Sequence, residues 1–153
     1  VIEAYSNKEC KNMRILIPVS VGEHFDKISI LEIKQDKIHS PEKLTNIRTE
    51  LSELRDITNN LPSDIVASDD FKILYQELKN VNLDLWTLED RIREKEEINS
   101  FDEEFITLAR GDAIYNDKRH VVKRKINELF NSHIVEEKSY AESTLLKHQN
   151  FRV

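Results

Sequence analysis

Apolar residues recur along this chain at alternating spacings of three and four, the rhythm of helices that bury one face. The clearest run puts Phe71, Leu74, Leu78, Val81, Leu85, Leu88 and Ile92 on one stripe. It predicts a helix over 69–97, opened by Ser68-Asp69-Asp70, where carboxylates favour the positive end of the helix dipole. At a rise of roughly 1.5 Å per residue, such a helix would be roughly 45 Å long. A second stripe, Leu44, Ile47, Leu51, Leu54, Thr58 and Leu61, follows Ser40-Pro41, an N-cap with proline in the first helical position, and ends at Asn59-Asn60-Leu61-Pro62. Both seams have coiled-coil spacing and a short polar linker joins them, so a long antiparallel hairpin of these two helices is expected.

Upstream, Ser20-Val21-Gly22-Glu23 reads as a capping box and predicts a first helix over 21–38. Its apolar residues (Val21, Phe25, Ile28 and Leu31, with Ile30 and Ile33 beside them) are too many for a narrow stripe, so it should meet neighbours on two sides. Ser100-Phe101-Asp102-Glu103 is a second capping box, starting a fourth helix with Phe101, Phe105 and Leu108 inward. Gly111 and Asn116-Asp117 interrupt the pattern. A fifth helix follows over 117–130 with Val122, Ile126, Leu129 and Phe130 on one side, and Asn131-Ser132 closes it. Residues 139–148 could form a last, frayed helix. The expectation is an all-α bundle of about five helices.

One short segment falls outside this rhythm. Arg14-Ile15-Leu16-Ile17-Pro18-Val19 is too short for a helix before a proline, and predicts an extended stretch over 14–19. A lone strand leaves its backbone groups unsatisfied, so its partner should be 132–136 or the same segment of a second subunit. Residues 1–12 are polar and patternless, and the single methionine is Met13. They are read as an unstructured extension ahead of one helical domain over 13–153.

Composition supports few, long elements: 153 residues hold only 2 glycines and 3 prolines, whereas antiparallel β folds need frequent turn residues. The one cysteine, Cys10, allows no internal disulfide and no cysteine-based metal site. No run approaches the length needed to span a bilayer, and the first residues lack the plan of a signal peptide, so the default location is cytoplasmic. A net charge of −6 weighs against nucleic acid as a general partner, although a local basic patch remains compatible with it.

Chemistry is sparse. Glu50-x-x-Glu53, Glu53-x-x-Asp56 and Glu94-x-x-Glu97 resemble the magnesium-binding pairs of helical pyrophosphohydrolases, but with 29 acidic residues such spacings recur by chance. His24, His39, His120, His133 and His148 lack metal spacing, no serine sits in a nucleophile elbow, and two glycines cannot build a phosphate-cradling loop. No metal or cofactor is expected. A basic group, Lys118, Arg119, Lys123, Arg124 and Lys125 with His120, follows Arg110 and a helix start at Asn116-Asp117, where free amides and guanidinium groups could hold an anion. Asp117 at the cap would compete for those amides. In the stretch Trp86–Arg93, Glu89 and Arg93 are spaced for an ion pair, while Trp86 falls beside the hydrophobic seam and is more often core than ligand platform.

The motifs Pro18-Val19-Ser20-Val21-Gly22-Glu23, Asp26-Lys27, Ile30-Leu31-Glu32-Ile33-Lys34, Asn82 with Leu85-Trp86 and Glu89-Asp90, and Phe105-Ile106 with Leu108-Ala109-Arg110 recur together with Asn116-Asp117, Arg119, Lys123-Arg124, Ile126-Asn127 and Glu136-Glu137-Lys138-Ser139-Tyr140. From Met13 to Tyr140 the chain thereby resembles a small helical bacterial family of unknown function, loosely associated with producers of surface polysaccharides. Gly111-Asp112-Ala113 departs from the more helix-friendly link that the resemblance implies. The resemblance implies no activity, but it draws attention to polar groups that a packed core would not need. These are Glu23, Asp26, Lys27, Glu32, Lys34, Glu89, Asp90, Arg93, Arg110, Asn116, Asp117, Arg119 and Lys123. Either they line one polar cleft between helices, or they form ion-pair networks that fix helix register. Two function classes follow. One is an interaction or accessory protein, self-associating through the 41–61 and 69–97 helices. The other is a small enzyme or binding protein for an anionic metabolite, a phosphate or dicarboxylate, held between helices.

Overall fold

The computed structural model describes residues 15–137, and their regular structure is helix throughout. The first helix, α1 (Val21–Lys37), starts where Ser20 accepts a hydrogen bond from the Glu23 amide at 3.1 Å. Only that half of the expected capping box forms, because the Glu23 carboxylate is drawn to Lys123 instead. The next helix, α2 (Pro41–Thr58), is set by Pro41 in its first turn rather than by any side-chain cap. A one-turn helix, α3 (Ser63–Ala67), occupies what reads in the sequence as linker. The long α4 (Asp69–Glu97) has the predicted bounds, with Ser68 accepting from the Phe71 amide at 3.2 Å. It closes through Asn99, whose positive φ of 52° lets the Ser100 amide reach back to the Lys95 carbonyl.

Two expectations fail downstream. The N-cap of the last helix, α5 (Glu103–Leu129), is Asp102, which accepts from the Phe105 amide at 3.0 Å; Ser100 instead donates to the other Asp102 oxygen. More important, α5 runs unbroken through Gly111, Asn116 and Asp117, where a junction between two helices was expected. Asn116 does not cap anything: its amide donates back to the Asp112 carbonyl one turn earlier, at 3.0 Å. A mid-helix glycine costs about 1 kcal/mol relative to alanine, and the packing of α5 along the whole of α4 outweighs that local preference.

The long antiparallel hairpin also has different members. It is α4 and α5 that lie side by side, from Lys95–Asp102 near the turn to Lys125–Glu77 towards the far end. The α2 stripe is spent on α1, which packs against α2, α4 and α5 and so sits at the centre. The core follows from that placement. Phe25, Ile28 and Leu31 of α1 meet Ile47 and Leu51 of α2, Phe71 and Leu78 of α4, and Val122 and Ile126 of α5. Phe25, Phe71 and Phe130 form an aromatic knot, with ring centroids 4.6 to 5.7 Å apart.

Residues 15–19 are irregular and make no β ladder, and Ile15, Leu16 and Ile17 are 77, 81 and 70% exposed. Residues 132–136 do approach the start of α1, but through side chains: the Ser132 hydroxyl accepts from the Val21 amide at 3.2 Å, and Ser20 donates to Glu136 at 3.1 Å. The extension at 1–12 and the frayed helix over 139–148 lie outside the described residues. Among the described residues, no helix is long and apolar enough to cross a membrane.

Candidate functional site

Side chains on three helices enclose a cleft of ≈ 460 Å³. From α1 come Ile30, Ile33 and Lys34; from α4, Asn82, Leu85, Trp86, Glu89, Asp90 and Arg93; from α5, Arg119. These spacings place them one turn apart on single helix faces, which is why one short stretch of each helix suffices. The cleft is graded. Ile33 and Leu85 are buried at its base, Ile30, Trp86, Lys34 and Arg119 are half-buried along its walls, and Glu89, Asp90 and Arg93 stand exposed at the rim.

The rim charges are already paired with one another. Arg93 donates to Glu89 at 2.9 Å and to Asp90 at 3.4 Å. Lys34 and Arg119 differ: among the described residues neither takes part in a salt bridge. Asp112, one turn before Asn116 on α5, feels both rim and wall. Burial and the Glu89 charge push its carboxyl above the ordinary range, against the pull of the Asn116 amide and the Arg119 charge.

Behind the cleft wall lies a second polar group, which the sequence could not separate from the first. Asn82 donates to Asp26 at 2.7 Å and to Ser29 at 2.8 Å, and its own carbonyl oxygen is buried without a partner among the described residues. Asp26 lies 3.8 Å from the Lys123 ammonium, which also bonds Glu23 and, at 2.9 Å, Glu136. Burial alone would lower the Lys123 pKa, but its bonds to Glu23 and Glu136 and the Asp26 charge more than offset that and hold it above the usual lysine value. Glu136 is held below the usual range by the same lysine, against the opposite effect of burial. This cluster pins α5 and the residues after it to the first turns of α1.

The expected polar residues therefore separate. Lys34, Glu89, Arg93 and Arg119, with Asp90, meet in the cleft. Glu23, Asp26 and Lys123 form the register-fixing network. Glu32 is elsewhere, clamped between Arg55 at 3.0 Å and Lys79 at 2.8 Å, which together hold its carboxyl below the ordinary range despite burial. Lys27 pairs with Glu50 at 2.6 Å on the surface, and Arg110 is exposed outside the cleft lining. Asn116 and Asp117 are half-buried in mid-helix, so the free amides expected there for an anion do not exist. Sequence reasoning missed Ile30, Ile33, Asn82 and Leu85 as cleft residues and read Trp86 as core. Among the described residues, no group of three or more histidine, cysteine or acidic side chains could hold a metal ion.

A family model covering residues 13–148 matches the chain, and its description is a family of unknown function, DUF6165. The chain belongs to that family, and the matched residues include both the cleft and the Lys123 network. No curated protein matches it, and no solved structure does.

Proposed function

We propose, for this member of a family whose function is unknown, that it is a binding protein for a small anionic molecule, held in the cleft between α1, α4 and α5. One observation carries the reading: Lys34 and Arg119 reach the cleft from different helices, each half-buried and each without a salt-bridge partner among the described residues. A partly desolvated cation is stabilised by an anion, and two cations facing one space favour a ligand that touches both. The rim carboxylates, Glu89 and Asp90, pair with Arg93, which offsets part of their charge, and form no salt bridge with Lys34 or Arg119. Binding, positioning and release need nothing beyond these groups, and no chemical step is part of the proposal.

A thermal-shift series with phenyl phosphate, inorganic phosphate, sulfate and citrate tests it. A ligand at 100 times its dissociation constant adds about 2.7 kcal/mol of stability. For a domain of this size that is about 5–10 °C in Tm. Lys34→Glu with Arg119→Glu should abolish the shift. No response to any of the anions would overturn the proposal.

A second reading, an interaction or accessory protein, draws on a different feature. Ile98, Phe101 and Ile106 are exposed at the α4–α5 turn, and Phe101 rests edge-on against Phe105. Self-association fits this surface, or the exposed 15–19 segment, better than the α2 and α4 stripes, whose leucines are already committed to the protein's own core. Sedimentation of wild type against Phe101→Glu with Ile98→Glu tests it, and identical monomeric behaviour at high concentration would dismiss self-association there.

A further inference from the structure

We infer that the ligand of the cleft carries its anionic group on a compact, largely apolar ring, as in an aryl phosphate or carboxylate, rather than being a bare oxyanion or a polyanion. The inference rests on the anion-binding reading above and goes further, to the class of molecule. It comes from the order in which the cleft presents its side chains. Charge is confined to the rim and upper walls, while the buried base is Ile33 and Leu85 beside the uncharged amide of Asn82, with Ile30 and the indole of Trp86 above them.

A bare phosphate would sit between Lys34 and Arg119 and leave the base covered only by water. Space of ≈ 460 Å³ lies within the range of cavities that take up ligands well beyond the size of an inorganic ion. Water against Ile30, Ile33, Leu85 and Trp86 is unfavourable in proportion to the apolar area it wets, so a ring that displaces it gains affinity. An aromatic ring gains further from an offset or edge-on contact with the indole. The rim sets a limit at the other end. Glu89 and Asp90 lie beside the place where a second anionic group of an extended ligand would fall, and Arg93 offsets but does not remove their charge. One anionic head over an apolar ring suits the two wall cations, the apolar side chains and the acidic rim together.

Trp86 is the only tryptophan in the chain, so its fluorescence reports on the cleft and nowhere else. Wild-type protein is titrated with phenyl phosphate, inorganic phosphate and phenol, following Trp86 emission and confirming affinities by calorimetry. Phenyl phosphate should bind at least about tenfold more tightly than either fragment, which is about 1.4 kcal/mol. It should lose that advantage over phenol in the Lys34→Ala, Arg119→Ala double variant. Inorganic phosphate binding as tightly as phenyl phosphate would sink the ring requirement and leave the anion reading standing. Phenol binding as tightly as phenyl phosphate would overturn both, as would failure of all three to bind. Ile30→Ser provides a second arm on a half-buried wall residue: it should weaken phenyl phosphate several-fold and leave inorganic phosphate unchanged, and equal weakening of the two would also count against the ring.

Discussion

The Gly22 amide donates to the Asn127 side-chain oxygen at 2.6 Å, and a side chain at position 22 would meet the Lys123 carbonyl oxygen at 2.5 Å. These two residues set how closely α1 lies on α5. No residue larger than glycine allows that approach without a backbone shift, so Gly22→Ala should cost about 1–3 kcal/mol through overpacking. Thermal unfolding followed by circular dichroism measures it, and an unchanged Tm would show that α1 is free to move away.

Lys123 is the hub of the same contact. Its side chain is 10% exposed and faces Glu23, Asp26 and Glu136. Lys123→Met leaves those carboxylates confronting one another, with Asp26 buried, and should cost about 3–5 kcal/mol. Adding Asp26→Asn should recover part of the loss, because it removes the most buried of the uncompensated charges. Denaturant titration of the single and double variants decides it; a double variant less stable than Lys123→Met would contradict the charge argument.

His24 makes stability depend on pH. It is buried beside Phe25 and donates from Nε2 to the Thr58 hydroxyl at 2.8 Å, the hydroxyl hydrogen being committed to the Leu54 carbonyl. Burial lowers its pKa below the ordinary 6.5. The unfolded chain therefore takes up a proton first as the pH falls below 6.5, so this contribution is complete above that value and is lost as pH falls through the lowered folded value. Chemical denaturation across mildly acidic pH should show the decline in wild type and a flatter profile in His24→Phe. Equal slopes in the two would assign the decline to carboxylates.

The continuity of α5 is open to hydrogen exchange. Amides of residues 112–118 lie within the helix between Glu103 and Leu129, and should exchange as slowly as those one or two turns on either side. Rapid exchange confined to 112–118 would restore the two-helix reading of the sequence.

How far the sequence reaches is clearest where prediction and structure part. The bounds of α4 were readable because its stripe, its acidic first turn and its serine cap all agree. The break near Gly111 was not real, because glycine and asparagine signal local preference, and contact with a neighbouring helix overrides a preference of that size. The partner of α4 was misread for a related reason: a stripe of leucines says that a face is buried without saying against which helix. At the site, Lys34 stands out only through the family resemblance, whereas Glu89 and Arg93 also stand out by their ion-pair spacing and Arg119 by its basic neighbours. Lys123 looks the same in one dimension whether it lines a cleft or is enclosed by three carboxylates. Ile30, Ile33 and Trp86 could not be told from core, because an apolar wall facing a cavity and one facing a leucine have the same sequence.

The hydrogen bond from Ser20 to Glu136 joins positions 116 apart in sequence. The central helix is synthesised ahead of the other four described helices, and the face it turns to α5 can be covered only after residue 126 has left the ribosome. Until then part of the surface around Phe25 and Ile28 waits in water beside α2 and α4. A nascent chain stalled before α5 would accordingly be a client for chaperones, whereas the finished one would not.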